Sequence, residues 1–370
     1  MRGNNVLGII FSNAHDEVIS EMTGVRTMGS IPFAGRYRLI DFPLSSMVNA
    51  SISKVGVICK ANYQSLMDHL GTGKPWDLSR KTNGLFLLPP FNLGSSGVYS
   101  SKIEALSGIK GFIDQSNEKY VVLADCNVVA NVDYQALFDM HEKSGADITV
   151  VTAHGATPDL KNILTFDIAE DGRVNSAKLG VAGEESDFSL NIYVMEKYLL
   201  LRLIADGMAK PNYDWSIDAI IGNTDKLRIF AYKHETYCSV VDSISSFFKD
   251  NMDLLSYTNR KELFVNERPV FTKTRDSMPT RYGLQSNAKK CFVADGCVIE
   301  GEAENCIIFR NVTISAGAKV KNCIIMQDTF IGEDARVEYS ILDKEVVIKP
   351  RKTLCGADSY PIYVGKKTTI

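Results

Sequence analysis

An α/β domain with a mostly parallel sheet, followed by a left-handed parallel β-helix, is the architecture that this 370-residue sequence predicts. Two observations predict it. Over the first two thirds, short β-branched runs alternate with helical patterns at the spacing of right-handed βαβ units. From about residue 290, apolar residues recur every five or six positions, a period that no α-helix keeps on one face and that a solenoid with about six residues per flat side does.

In chain order the first domain reads as a strand in "VLGIIF" (6–11), a helix in "DFPLSSMVNA" (41–50), a strand in "KVGVICK" (54–60) and a helix in "NYQSLMDHL". A strand "YVVLAD" (120–125), a helix "YQALFDMHEKSG" and a strand "DITVVTAH" (147–154) follow. Asp41 ahead of Pro43 fits an N-cap with proline in the first turn. The solenoid signal runs through Ile308, Ile314, Val320, Ile325, Ile331, Val337, Leu342 and Ile348, with "SAGAK" and "GEDAR" suited to tight corners. Between the two regions lie a helical pattern (245–264) and an irregular "VNERPVFTKTRDSMPTRYG". The expected organisation is therefore an α/β domain over 1–258, a linker over 259–287 and a β-helix over 288–370.

Composition bounds the function classes. Apolar content of 45% and charged content of 23% are those of a globular protein with a full core. A net charge of −3 gives no electrostatic reason for a nucleic-acid or anionic-membrane partner. No 18 apolar residues run together and the N-terminus has no signal-like segment, so a cytoplasmic, non-membrane location is expected. The eight cysteines are scattered without a CxxC pair or a nearby histidine at ligand spacing, and read as reduced, packed thiols. None of the five histidines has a partner spacing that implies a metal.

The segment "IPFAGRYRLIDFPLSSMVNASISKVGV" resembles the FGGKYRIIDFxLSNxxNSGI stretch of bacterial glucose-1-phosphate adenylyltransferases, also called ADP-glucose pyrophosphorylases. "HLGTGKPWDL" (69–78) looks like their HIGxGxPWDL, and "DTFIGEDARV" like their β-helix turns. The likeness covers nearly the whole chain and implies a nucleotidyltransferase-like, Rossmann-like first domain in a glycogen-synthesis context. That family joins ATP and glucose 1-phosphate into ADP-glucose and pyrophosphate. It uses a glycine-rich phosphate loop, basic side chains and Mg²⁺-binding carboxylates.

Position by position, the resemblance marks where this chain departs. The family's GGxGxRL falls on Asn13, Ala14, His15, Asp16, Glu17, Val18 and Ile19. Every glycine is lost, and two carboxylates stand where they would repel a triphosphate. RAKP becomes "RTMG", keeping only Arg26, while the GTADA loop corresponds to Ser101, Lys102, Ile103, Glu104 and Ala105. The metal aspartate of LAGDH falls on Cys126; Asp125, displaced by one residue, is the residual metal candidate. The second metal aspartate falls on Val240, with Asp242 two positions late. The EKP sugar-phosphate motif falls on Leu179, Gly180 and Val181, and the glycine of SxGIY on Asn191.

These concordant losses imply no catalytic residues and no cofactor for this chain, with Mg²⁺ belonging to an active partner. The expected role is a catalytically inactive or weak regulatory subunit that modulates a catalytic glucose-1-phosphate adenylyltransferase subunit in a hetero-tetramer; a self-assembled oligomer is the alternative. An independently active sugar-phosphate nucleotidyltransferase is the second reading. A hexapeptide acyltransferase is the third, set aside because residues 288–370 contain no histidine to serve as general base. In "GRYR", Arg36 matches a lysine that contacts sugar-phosphate effectors in the family, so Arg36 and Arg38 are effector-anion candidates. Trp76 and Asp77 of "PWDL" read as structural.

Overall fold

The computed structural model describes residues 1–90, 99 and 101–370. The run Val6–Phe11 is a strand buried on both faces, as a continuous apolar run in a parallel sheet demands. It sits between Lys54–Ile58 and Tyr120–Asp125, parallel to both, and Gly84–Leu88 adds a fourth parallel strand outside Lys54–Ile58. The long strand Glu185–Glu196 runs antiparallel to Tyr120–Asp125 and extends the sheet, which has nine strands among the described residues. With neighbours reached in opposite directions from Val6–Phe11, its C-terminal end is a topological switch point, where such sheets open a crevice. Phe11 and Asp125 lie side by side at that edge.

The helices form where their local chemistry favours them. Asp133 accepts from Ala136 N at 3.0 Å and starts Tyr134–Ser144, which ends on Gly145 at φ 60°. Asp41–Asn49 is a helix with Pro43 in its first turn, but Asp41 does not cap it. Its fully buried carboxylate accepts from Arg38 N (3.0 Å) and faces His69 Nε2 (2.6 Å). An acid that can also hold an arginine segment and an imidazole serves those instead of the helix end.

The solenoid is three-sided, with parallel coils in which Ile308, Ile325 and Leu342 stack, as do Ile314, Ile331 and Ile348. All eight apolar positions of the periodic signal are buried inside it. Corners are turned by left-handed residues: Asn305, Asn322 and Tyr339 share one corner, and Asn311, Asp328 and Glu345 another. Asparagine tolerates positive φ and also bonds along the stack, Asn305 Nδ2 donating to Asn322 Oδ1 at 2.6 Å. Ile307, Phe309, Ile324, Met326 and Ile341 face outward from the coil and join the core of the α/β domain, so the two regions share one apolar cluster.

Both expected boundaries move. The helix Tyr257–Leu263 runs across residue 258, because Leu263 is buried in the first domain's core. The first solenoid strand is Arg281–Tyr282, paired with Val298–Ile299, ahead of the expected start at 288. This outermost coil is stacked on one side only, its strand residues are exposed, and it lacks the apolar period that marks the rest. Asn131, 2% exposed, anchors the connection by donating from Nδ2 to the carbonyls of Leu263 and Arg268, both at 2.8 Å. Asn131→Ala strips two shielded carbonyls of their donor and is expected to lower stability by about 1–3 kcal/mol. An unchanged urea midpoint would show that the anchor is redundant.

Candidate functional site

Strand Val6–Phe11 hands over to the loop at the crevice, and the loop's side chains bond to one another and to the segments around it. Asn13 Oδ1 accepts from Lys60 N at 2.7 Å, and its amide donates to Asp16 Oδ2 at 2.6 Å. Asp16 Oδ1 accepts from Met28 N at 2.8 Å. Burial pushes the Asp16 carboxyl up to about 6, against the pull of those two bonds. Asp16 is thus a staple between residues 13 and 28, and Glu17 is the exposed carboxylate of the pair. His15 takes a left-handed conformation at φ 62°. With Ala14, it lines a cleft of about 210 Å³ together with Phe11, Asn13, Glu17, Lys60, Tyr99 and Lys102. Val18 is half-buried against the core beside it.

Under this cleft lies Asp125, its side chain fully buried. Oδ2 accepts from Lys102 Nζ at 2.9 Å and faces His15 Nε2 at 3.3 Å; among the described residues Oδ1 has no partner. Burial alone would raise this carboxyl, but the Lys102 ammonium and His15 outweigh it and hold it below the usual carboxylate range. Next to it Cys126 is fully buried, and burial pushes its thiol well up. A Cβ on Gly29 would stand 3.0 Å from its sulfur, so the thiol is sealed under Gly29.

The remaining positions of the resemblance are equally far from phosphate chemistry. Val240 is in the strand Cys238–Val240, while Asp242 spends its carboxylate on Asp159 N (2.8 Å) and Ser243 Oγ (3.0 Å). Leu179 and Val181 put exposed apolar side chains where the sugar-phosphate motif would be. Asn191 keeps a positive φ of 54°, preserving the backbone turn without the glycine. Among the described residues no group of three or more His, Cys, Asp and Glu side chains is arranged to hold a metal, and no helix is long and apolar enough to cross a membrane.

A second site lies where the hairpin of Pro32–Phe33 and Tyr37–Arg38 meets the solenoid. Arg36, Arg38, Lys273, Arg275, Arg310 and Lys344 line one cleft there, with His69 at its wall. Arg36 is exposed, stacked 5.5 Å over the Tyr37 ring. Arg38 is 9% exposed, tied to Ser65 O and Oγ at 2.5 and 2.9 Å, and burial brings its guanidinium down to about 10. Arg310 is partnered by Asp295 at 3.0 Å. Lys344 is pushed down to about 7, by burial first and then by the neighbouring Arg38 and Arg26. Crowding that many cations is unfavourable without an anion among them. Behind the cleft, fully buried Asp343 accepts Arg26 Nη2 on both oxygens (2.9 and 2.7 Å) and the Tyr363 hydroxyl at 2.7 Å.

Both effector-anion candidates, Arg36 and Arg38, therefore share a cleft. Lys273, Arg275, Arg310 and Lys344 were missed by sequence reasoning. The signal existed in part: 310, 327 and 344 are equivalent positions on successive coils, as the neighbouring pairs 308, 325 and 342 are, and they read Arg, Gln, Lys. The "KTR" of the linker supplies the other two.

Comparison with known proteins agrees with this architecture. Residues 21–163 match the nucleotidyl transferase family model and residues 277–360 the GlmU-like C-terminal hexapeptide model. The glycogen biosynthesis protein GlgD of Bacillus subtilis (strain 168) is 37% identical over 99% of this chain and 97% of its own length. The GlgD of Geobacillus stearothermophilus is 37% identical over 86% of this chain and 83% of its own. The glucose-1-phosphate adenylyltransferase of the same organism is 34% identical over 89% and 87%. A chain that aligns end to end with such relatives, on a nucleotidyl transferase domain joined to a hexapeptide solenoid, belongs to the family of GlgD and the glucose-1-phosphate adenylyltransferases.

Proposed function

We infer that this chain is a modulatory subunit of a glucose-1-phosphate adenylyltransferase assembly in glycogen biosynthesis, itself inactive or weak in catalysis. The observation that carries this reading is the crevice at the switch point. A phosphate loop without glycine is stitched to itself through Asp16, and the one carboxylate below it is neutralised by Lys102. Removing a single electrostatic group from such a site commonly costs about 10²- to 10³-fold in rate, and several are replaced here. The partner is a catalytic subunit of the same family, whose Mg²⁺ and phosphate loop do the chemistry, in a hetero-tetramer.

The cationic cleft supports the modulatory half of the reading. Guanidinium forks and two lysines converging on one space suit a sugar phosphate. The cleft is built jointly by the α/β hairpin, the connecting segment and three successive solenoid coils, so a bound phosphate ester would join all three parts.

Pyrophosphate release from ATP and glucose 1-phosphate tests the role. The purified chain alone is expected to run at least about 10³-fold below a catalytic subunit. Added to that subunit, it is expected to change the maximal rate or the response to sugar phosphates. Full activity of the chain alone would overturn the reading.

A further inference from the structure

Family membership implies Mg²⁺ at the crevice, and the residues of this chain do not fit it. Hard divalent cations gather six or more oxygen ligands, usually including carboxylates. Asp16 is committed to Met28 N and Asn13, Asp242 to Asp159 N and Ser243, and Cys126 is sealed beneath Gly29. Besides Glu17 on the exposed rim of the cleft, Asp125 is the carboxylate that remains, and it already has a cation.

We propose that Lys102 is a resident cation: its ammonium compensates Asp125 in place of a divalent ion and so closes the crevice to such ions. Its placement is built. Ser101 Oγ accepts from Glu104 N at 3.2 Å and starts the helix Lys102–Gly108, which fixes Lys102 at the first helical position. From there its ammonium reaches a point 5.1 Å from the Phe11 ring centroid and 2.9 Å from Asp125 Oδ2. His15 closes the same oxygen from the loop side at 3.3 Å. A metal approaching this carboxylate would meet an ammonium within contact distance, a repulsion of twice the unit-charge term. Oδ1, buried and without a donor among the described residues, is the ligand position that the ammonium leaves over. Any anion taken up by the cleft above is therefore taken up without metal, and its binding is indifferent to chelators. The assignment goes beyond the modulatory role and does not depend on it.

The experiment uses the full chain and Mn²⁺ as probe, read by the electron paramagnetic resonance of free Mn²⁺ and by thermal unfolding. The native protein is expected to bind no Mn²⁺ at Asp125 at millimolar concentration and to melt alike in Mn²⁺ and in EDTA. Lys102→Met keeps the apolar stem and removes the charge. It is expected to melt lower than the native protein and to gain about 2 °C or more in millimolar Mn²⁺. The double variant Lys102→Met, Asp125→Asn removes both charges, and is expected to regain stability and lose the Mn²⁺ response. Mn²⁺ bound by the native protein and released by Asp125→Asn overturns the proposal, as does a Lys102→Met protein that ignores Mn²⁺. If Lys102→Met fails to fold, the double variant decides: a folded double variant supports charge compensation, and an unfolded one assigns Lys102 to packing and refutes it.

Discussion

Replacing Asp343 by asparagine is expected to lower the unfolding free energy by about 3–5 kcal/mol, because it leaves the Arg26 guanidinium buried without its counter-charge. Asp343 is fully buried and Arg26 is 2% exposed. Both carboxylate oxygens receive Arg26 Nη2, while Nη1 already lacks an acceptor among the described residues, so none of these offers a second partner. The pair also joins the two halves of the molecule. Arg26 lies in the segment held to the crevice loop through Met28 N and Asp16, and Asp343 lies in a solenoid coil whose carboxylate also holds Tyr363. Urea unfolding followed at both tryptophans, which lie in the α/β domain, and by circular dichroism, which also sees the solenoid, should show the two transitions separating in the variant. A paired Arg26→Met, Asp343→Leu replacement removes both charges and is expected to recover much of the loss. Coincident transitions at the native midpoint would show that the shared apolar cluster, not the ion pair, fastens the solenoid.

The periodic elements were legible in the sequence because their signal is local. Val6–Phe11, Tyr120–Asp125 and the eight stacked solenoid positions each announce themselves by spacing within a few residues, and each is where the spacing puts it. The solenoid's start at Arg281 was not legible, since a terminal coil carries no inward apolar pair to reveal it. At the crevice, the loss of glycines and carboxylates could be read from identities alone. What replaced them could not. That Asp16 turns inward to Met28 N, and that Lys102 neutralises Asp125, 23 residues further along the chain, are facts of side-chain direction that no spacing encodes. The cationic cleft is the same problem at larger range: Arg36 and Arg38 were visible as a pair, but their companions come from a linker and from two coils far along the chain.

Binding of a simple dianion in that cleft should weaken about tenfold between about pH 6.5 and pH 8.5, and Lys344 sets the sign. Its side chain is pushed down to about 7 by burial and by Arg38, Arg26 and Lys366, with Asp343 alone pulling the other way. An anion beside it stabilises the charged form and raises its pKa, so binding takes up a proton. Affinity is then highest below about 7 and falls as the pH climbs through it. Sulfate is the suitable probe, since it does not itself titrate in this range, whereas phosphate gains charge and would mask the effect. Arg38, brought down to about 10, stays charged across the window. His69 stays neutral, because burial lowers it despite Asp41. Titration calorimetry on the native chain and on Lys344→Met separates the contributions: the variant should bind more weakly at pH 6.5 and lose most of the slope. Arg36→Ala, removing a charge that does not titrate here, should weaken binding equally at both ends and keep the slope. A sulfate affinity that is flat or rises with pH in the native chain would remove Lys344 from the site, and with it the reason for reading the solenoid corner as half of an anion receptor.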